Sequence, residues 1–475
     1  FYSEDNFFKT AADAEAAVMY AYGTLNYLEY SRTIFFLGDM ASETMTTKSD
    51  ASADNQDLNN WKVGNFKTNG SLENFFKYAF IGVNRANAVI KKVPDAGFSQ
   101  EQKDLFLGEA YFLRAWNYFN LVRNFGLVPL HKSVVETVDQ TSTALAPDMD
   151  AMYDLILSDC RRAAELLPVY ETPKIGRADR VAAQALAAKA YLYVASAKEH
   201  GVKLYRDMHR DATVMYDSAA YFAGEVIEKQ SVYGFESSLL DIYDVEKARG
   251  KEHIFIMAMD RSGSSEGQYS KISKMFIPYI DGATLYLKQG DKDEYIPTHD
   301  GWGEYQTTVA FYNTFDASDK RKTELIVDKV YKADGTLLGE YPGKIPYPFC
   351  RKYIDPKFEG DKTSTRPFLL RFSDVALIYA EAAGPTAKAY ELVNFIRSRA
   401  GLGDMKPNLG KDEFRREILK ERTFELAFEG DHVYDLRRWN RITTDVPEAA
   451  GLSEDQVTFY PIPQAEINLN GSLRP

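Results

Sequence analysis

The first half of the chain repeats stretches in which apolar residues recur at the three- and four-residue spacing of a helix. The first begins at Thr10-Ala-Ala-Asp13, which has the form of a capping box, and extends to about Tyr27. The same spacing predicts later helices over residues 72–92, 99–124, 148–167, 180–197 and 212–229. Small residues, dense in 180–197, allow neighbouring helices to pack closely in pairs. The pattern predicts a mostly α fold on a degenerate tetratricopeptide-like array that is interrupted by insertions.

Two segments break the helical spacing. Residues 38–70 are rich in Ser, Thr, Asp and Asn, which predicts a long loop on the ligand side. Trp61 in this loop is either an anchor packed onto the body or an exposed platform for stacking. Residues 232–366 are rich in Gly, Ser, Asp and Tyr, and only a short apolar run at 252–259 is typical of a strand.

Several aromatic residues of the second segment lie in loop-like sequence: Tyr279, Tyr286, Tyr295, Trp302 and Tyr305. Gly301 and Gly303 flank Trp302, so little neighbouring bulk shields its ring. Aromatic faces of this kind suit either a sugar ring or the anchoring of a loop. Near residue 319, the run Asp319-Lys-Arg321 is typical of a solvated surface.

In the last quarter we expect helices from Ser373, over 387–399 and from Lys411. In the third of these, the residues that share one face are Ile418, Arg422, Glu425 and Glu429. Apolar residues on its other sides predict a buried helix, so these charges need partners, for which Arg437 and Arg438 are candidates. The set is either a structural ion-pair network or a catalytic carboxylate cluster, and we favour the network.

Composition narrows the function classes. The chain has 31 Tyr, 29 Phe and 4 Trp, an excess that suits both a core and a sugar-binding surface. The net charge is −12 and no Lys/Arg-rich run is present, which argues against a nucleic-acid partner. No apolar stretch approaches the ~20 residues that span a bilayer, and the Phe1 start indicates a mature or trimmed chain.

The sequence gives little support for a cofactor. Six His are scattered without zinc-ligand spacing, and Cys160 and Cys350 lie far apart, which predicts free thiols. Cys160 in particular falls in a helical pattern, as a buried thiol would. A Ca²⁺ ion is a weak candidate near Asp291/Asp293 or Asp50/Asp54.

Several ordered blocks carry a family resemblance. The blocks are Asn84–Asn87, Glu109–Ala115 with Phe125–Pro129, Arg371–Ala382, Asn394–Gly401, Glu421–Trp439 and Pro461–Ile467. Together they resemble the SusD/RagB family of surface glycan-binding lipoproteins of Bacteroidetes. The chain departs from the pattern in a short linker near Gly384, in Phe76 where Trp is common, and in the absence of a lipidated N-terminal Cys.

The resemblance implies about four tetratricopeptide-like helix pairs, at residues 1–231 and 367–475, as a scaffold for a variable ligand-binding region at 232–366. It also implies an outer-membrane, cell-surface lipoprotein that sits as a lid on a TonB-dependent transporter of the SusC type. The family's ligand contacts follow no motif, so none can be carried over by position.

The leading interpretation is a non-enzymatic protein that binds oligosaccharides for nutrient uptake. Loops 38–70 and 260–305 are expected to supply aromatic stacking and hydrogen bonds. The candidate ligand-binding residues are Asp50, Asn55, Trp61, Tyr286, Tyr295 and Trp302. The alternatives are a glycoside hydrolase, which needs two facing carboxylates about 5–10 Å apart, and a helical scaffold that binds only protein or peptide.

Overall fold

Paired helices form the N-terminal part of the protein. The computed structural model describes residues 8–474, apart from the side chains of residues 28–31. The helices are α1 (Ala11–Tyr22), α2 (Leu28–Phe35), α3 (Ala53–Asn59), α4 (Gly70–Lys92), α5 (Gln100–Phe125), α6 (Met149–Leu166), α7 (Arg180–Glu199) and α8 (Ala212–Glu228). Thr10 and Asp13 form the predicted capping box at α1, and the Ser99 and Asp179 side chains cap α5 and α7.

The following region mixes short helices with short strands. Its helices are α9 (Leu239–Ile242), α10 (Ile272–Phe276), α11 (Val309–Thr314) and α12 (Lys320–Thr323). The strands of the described chain, of which β1 lies in the N-terminal part, are β1 (Met45–Thr47), β2 (His253–Ile256), β3 (Thr284–Lys288), β4 (Tyr295–His299), β5 (Tyr305–Thr307), β6 (Ile326–Val327), β7 (Lys329–Tyr331), β8 (Leu337–Glu340), β9 (Phe349–Cys350) and β10 (Phe368–Arg371). Strands β4, β3, β7 and β8 form one antiparallel sheet in that order, and β1–β5, β2–β10 and β6–β9 form antiparallel pairs.

The C-terminal part returns to helices. They are α13 (Phe372–Ala383), α14 (Ala387–Arg399), α15 (Lys411–Glu425), α16 (His432–Arg438), α17 (Ile442–Asp445), α18 (Glu454–Val457) and α19 (Gln464–Leu469). Shorter 3₁₀ turns lie at Gly23–Asn26, Val63–Thr68, Val93–Asp95, Asp139–Ser142, Val245–Lys247, Pro447–Ala449 and Gly471–Leu473, and a π-helical turn at Phe36–Met40.

Consecutive helices pack side by side into one array. Helix α4 packs on α5, α5 on α6, α6 on α7 and α7 on α8. Helix α8 then packs on α13, and α13 on α14, so the array resumes after the 232–366 region. Fully buried alanines such as Ala183, Ala187 and Ala190 let α7 approach its neighbours closely. The predicted mostly α fold with paired helices is confirmed.

Residues 38–70 are not the long loop that their composition predicts. They contain the end of the π-helical turn, strand β1, helix α3 and a 3₁₀ turn. The Ser52 side chain caps α3 by accepting a hydrogen bond from the Asn55 amide, and Leu58 is buried. The polar residues of this segment, whose composition suggests a loop, instead form the cap and the exposed face of α3.

Helix α15 ends at Glu425, one turn earlier than its sequence pattern predicts. Phe428 and Gly430 adopt positive φ angles of 65° and 81°, so Glu429 lies in a turn rather than on the helix face. Glu425 and Glu429 nevertheless converge on one buried guanidinium. Arg371 lies 3.2 Å from Glu425 and 2.9 Å from Glu429.

A buried charge cluster surrounds these carboxylates. Its members, the Glu425 cluster, are Glu252, Asp319, Arg321, Lys352, Arg371, Arg399, Glu421, Glu425 and Glu429. Arg399 lies 2.5 Å and Arg321 3.2 Å from Glu425. Burial acts to raise the pKa of Glu425, but the guanidinium groups of Arg399, Arg371 and Arg321 hold it well below its usual range.

The structure corrects the expectations for three arginines: Arg437, Arg438 and Arg321. Arg438 pairs with Glu381 and Asp435 rather than with Glu425 or Glu429, and Arg437 donates to the carbonyl oxygen of Arg123. The turn at 428–430 separates α16, which carries both arginines, from the end of α15.

Arg321, expected on a solvated surface, is buried in the Glu425 cluster. Arg422 forms a second centre with Asp374, Asp431 and Asp435, at 2.8, 3.1 and 2.9 Å. Because these buried charges are paired with one another, the geometry supports the structural alternative over a catalytic one.

Asp39 is buried where the π-helical turn meets Gly430. Its Oδ2 accepts a hydrogen bond of 2.7 Å from the Gly430 amide, and its Oδ1 has no hydrogen-bond partner among residues 8–474. The backbones approach so closely that a Cβ on Gly38 would lie 2.0 Å from the Gly430 oxygen. Burial raises the pKa of Asp39 to about 7.

We expect Glu425→Gln to lower the free energy of unfolding by about 3–5 kcal/mol, because it leaves buried arginines without a counter-charge. Glu391→Gln is the matched control, since it removes an exposed partner of Lys388 and is expected to cost less than about 0.5 kcal/mol. Urea denaturation of both variants measures the difference. Equal, small losses would contradict a structural role for the cluster.

A second prediction concerns pH. Folded Asp39 keeps a proton between about pH 4 and pH 7 that the unfolded chain releases, so its contribution to stability falls as pH rises through this window. Asp39→Asn removes that contribution. We expect the variant to gain stability relative to the natural chain between pH 5 and pH 7, by at most about 1.4 kcal/mol per pH unit, and the difference to level off above pH 7. Urea denaturation across this range is the test, and parallel pH profiles would contradict it.

Candidate functional site

Pairing between β1 and β5 brings two distant parts of the chain together. Met45, Thr46 and Thr47 face Thr307, Gln306 and Tyr305 in antiparallel register. Lys48 and Asp50 directly follow β1, and the Gly301–Gly303 turn directly precedes β5. The predicted ligand-side segments 38–70 and 260–305 therefore meet at one place.

Backbone hydrogen bonds hold Trp302 against α10 and the residue that follows this helix. The amide of Trp302 donates to the Lys274 oxygen at 2.7 Å, and the amide of Gly303 donates to the Ile277 oxygen at 3.0 Å. Position 301 requires glycine because an added Cβ would lie 2.0 Å from the Ile277 oxygen. The two glycines thus permit a close backbone contact that fixes the backbone at Trp302.

An open cleft of about 430 Å³ forms around this ring. Its lining residues are Lys48, Asp50, Pro278, Tyr279, Gly301, Trp302, Gly303, Gln306, Pro346 and Tyr347. Tyr279 is 68% exposed, whereas Trp302 is half-buried against the core. Tyr347 is buried and donates from its hydroxyl to the Phe276 oxygen at 3.0 Å. The cleft therefore offers solvent-accessible aromatic surface above the buried, hydrogen-bonded Tyr347.

Polar groups border the aromatic surface. Asp50 is 81% exposed at its side chain, and Lys48 lies 3.6 Å from it and 3.2 Å from Glu304. Gln306 uses its Nε2 to donate to the Gly303 oxygen at 3.0 Å, which orients its amide. Aromatic faces beside hydrogen-bonding groups suit a ligand that carries both C–H faces and hydroxyls.

The sequence leaves two alternatives for Trp61, a packed anchor or an exposed platform, and the structure shows the anchor. It is 3% exposed, stacks on Tyr460 with 6.2 Å between ring centroids, and contacts Phe66 edge to face. Its indole nitrogen donates to the Ala41 oxygen at 2.9 Å. The expectation of an exposed ring at Trp61 is wrong, because the helical structure within 38–70 turns this side chain into the core.

The other sequence candidates lie outside the cleft. Tyr286 and Tyr295 are half-buried on β3 and β4, where Tyr295 packs on Tyr331 with 5.0 Å between ring centroids. Asn55 lies on α3 and accepts a hydrogen bond from the Ser71 hydroxyl at 3.3 Å. Of the six candidates, the structure brings only Asp50 and Trp302 into this cleft.

Several cleft residues are not among the six sequence candidates: Lys48, Gln306, Tyr347, and Tyr279, which lies among the loop aromatics named from sequence. Tyr279 carried the signal of an aromatic residue in loop-like sequence, which suits either a ligand-facing ring or a loop anchor. The role of Gln306 depends on the β1–β5 register, which a single sequence does not reveal.

Two other surface clefts have fewer accessible rings. One, of about 590 Å³, is lined mainly by polar residues around Asp291, Glu324 and Arg351. Burial lowers the pKa of Arg351 to about 10. The other, of about 510 Å³, includes Phe311 and Phe424. Neither contains a tryptophan among its lining residues.

Metal-binding groups are sparse in the part of the chain that the structure describes. Residues 8–474 contain no group of three or more His, Cys, Asp or Glu side chains placed to hold a metal ion. Calcium at Asp291/Asp293 or Asp50/Asp54 stays a prediction. Cys160 and Cys350 are both buried, free thiols, as expected, and burial raises the pKa of each.

Comparison with known proteins agrees with this architecture. A family model described as the SusD family matches residues 331–457, and one described as "Starch-binding associating with outer membrane" matches residues 3–192. SusD-like protein P2 of Formosa agariphila is 26% identical, over 99% of this chain and 93% of the relative.

Solved structures extend the likeness to the whole fold. A structure described as a laminarin-binding SusD-like protein has a TM-score of 0.77 and 25% identity, with 97% of each chain covered. The surface glycan-binding protein A of Bacteroides thetaiotaomicron, solved with laminarihexaose, shares the fold with a TM-score of 0.75 at 20% identity over 98% of each chain. The family-model matches at both ends of the chain and this shared fold lead to one conclusion: the chain belongs to the SusD-like family of glycan-binding proteins.

Proposed function

We propose that this protein binds oligosaccharides at the Trp302 cleft without altering them chemically, and passes them to a partner TonB-dependent transporter of the SusC type. The observation that carries the proposal is the accessible pair of rings, Tyr279 and Trp302, beside Asp50 and Gln306. A sugar ring packs its C–H face on an aromatic face while its hydroxyls bond to such polar groups.

The relatives support a carbohydrate ligand. One structural neighbour is described as binding laminarin, and a second was solved with laminarihexaose. Laminarin is therefore the first ligand to try, within a panel that also contains pullulan, arabinoxylan and galactomannan. Binding at a single open cleft is expected to be weak, roughly micromolar to millimolar, because each sugar hydroxyl gives up water for a modest net gain.

A surface location at the outer membrane, with a lipid anchor, completes the proposal. The description of one matching family model includes association with the outer membrane. Within residues 8–474, no helix combines the length and the apolar character that crossing a bilayer requires. Mass spectrometry of the protein extracted from its native membranes tests for the lipid anchor, and co-purification from the same membranes tests for the transporter partner.

A hydrolase is the competing function for the same cleft. Asp50 and Glu304 both contact the Lys48 ammonium, which accounts for their positions by ion pairing. Incubation with each glycan of the panel, followed by measurement of new reducing ends, separates the two functions. Release of reducing ends by the natural protein, lost in Asp50→Asn and Glu304→Gln, would overturn the non-enzymatic proposal.

We expect Trp302→Ala and Tyr279→Ala each to weaken glycan binding about tenfold, because each removes a stacking surface worth about 1.4 kcal/mol. Tyr221→Ala is the matched control, since Tyr221 is 62% exposed on α8 and outside the cleft. Affinity electrophoresis and calorimetry with the glycan that the natural protein retains give the values. Unchanged affinity in both cleft variants would contradict this site.

Trp61→Ala should show the opposite pattern. Loss of a buried indole and its hydrogen bond to Ala41 is expected to lower the free energy of unfolding by about 3–5 kcal/mol. Affinity per folded molecule is expected to change little, because Trp61 does not line the cleft. Urea denaturation together with calorimetry on the folded fraction tests both parts, and a stable variant with weakened binding would contradict them.

A further inference from the structure

Lys48 at the Trp302 cleft already has carboxylate partners. Lys48 lies between two carboxylates, 3.6 Å from Asp50 and 3.2 Å from Glu304. Its side chain is half-buried, so it has limited freedom to turn toward another partner. The charged lining residues are Lys48 and Asp50, and Glu304 pairs with Lys48 from outside the lining, so this group of one cation and two anions has a net charge of −1.

The other cations near Trp302 also have carboxylate partners. Lys271 lies 5.7 Å from the centre of the Trp302 ring and 4.0 Å from Glu266, which also binds Arg32 at 2.7 Å. Lys274, whose carbonyl oxygen receives the Trp302 amide, lies 3.2 Å from Asp361. These lysines belong to existing ion pairs and do not form an open basic surface.

From this arrangement we infer that the cleft selects uncharged sugar residues and rejects glycans that carry sulfate or carboxylate groups. The inference rests on the proposed function and adds the chemical class of the ligand. An incoming anion would meet Asp50 and Glu304 together with the cation that they already share. Repulsion between like charges a few ångströms apart outweighs what a shared lysine can offer.

Asp50 can also favour a neutral sugar directly, by accepting hydrogen bonds from its hydroxyls. A carboxylate only accepts hydrogen bonds, and two neighbouring sugar hydroxyls can donate to its two oxygens. Asp50 is exposed and lies on the border of the cleft, so it can reach a ring stacked on Trp302 or Tyr279. A sulfate ester replaces the donating hydroxyl with acceptor oxygens, which removes that bond and adds repulsion.

The test compares each neutral glycan with its own sulfated form. Laminarin, pullulan, arabinoxylan and galactomannan, and the O-sulfated derivative of each, are offered to the full chain in affinity gels. We expect at least one neutral glycan to retain the protein, and its sulfated form to retain the protein at least fivefold more weakly. Binding to the neutral glycan should change little between about 50 and 500 mM NaCl. Equal or stronger binding of the sulfated form would overturn the inference and leave the proposed function intact. Failure of every glycan in both forms would overturn the proposed function, and the inference with it.

A charge variant separates electrostatic selection from simple loss of hydroxyls. In the double variant Asp50→Asn with Glu304→Gln, Lys48 becomes an uncompensated cation. We expect the ratio of neutral to sulfated affinity to fall about fivefold or more, and most of that change to disappear at 500 mM NaCl. Asp217→Asn, an exposed carboxylate of α8 away from the cleft, is the control and should leave the ratio unchanged. An unchanged ratio in the double variant would overturn the role of these two carboxylates.

Discussion

Burial of charge is the constraint on which the rest of this structure depends. The Glu425 cluster draws its members from three parts of the chain: Glu252, Arg321 and Lys352 from the middle region, Arg371 at the end of β10, and Arg399 with Glu425 from the C-terminal helices. An ion removed from water costs several kcal/mol unless its partners are in place. The middle region and the helical array must therefore dock in one register, which fixes the surface where the cleft forms.

Much of this could be read from sequence, and the limits have physical causes. Periodicity predicts α4 to α8 and α14, because apolar residues recur at helical spacing along these helices. Apolar residues around Arg422 and Glu425 predicted that both are buried and paired. Two partners of Glu425 could not be predicted, since Arg371 and Arg321 lie about 50 to 100 residues from it and no local pattern encodes such a contact.

The candidate site shows the same division. Asp50 and Trp302, which the chemistry of their segments suggests, line the cleft. The polar residues between 38 and 70 give no indication that Trp61 belongs to the core. A tryptophan in polar sequence is ambiguous because its exposure depends on the direction in which a short helix turns it. Tyr286 and Tyr295 lie in loop-like sequence of the same composition as that around Trp302. In the structure they lie on β3 and β4, away from the β1–β5 junction.

That junction also governs when the cleft comes into existence during synthesis. Strands β1 and β5 lie about 260 residues apart in the chain, yet their ladder forms the base of both walls. Contacts so distant in sequence are slow to form, because closing a loop of that length costs chain entropy before the contacts can stabilise it. A chain that ends before Tyr347 lacks part of the cleft lining even when it contains β5. The cleft is therefore complete only after β1 and β5 have paired and the middle region has folded as far as Tyr347.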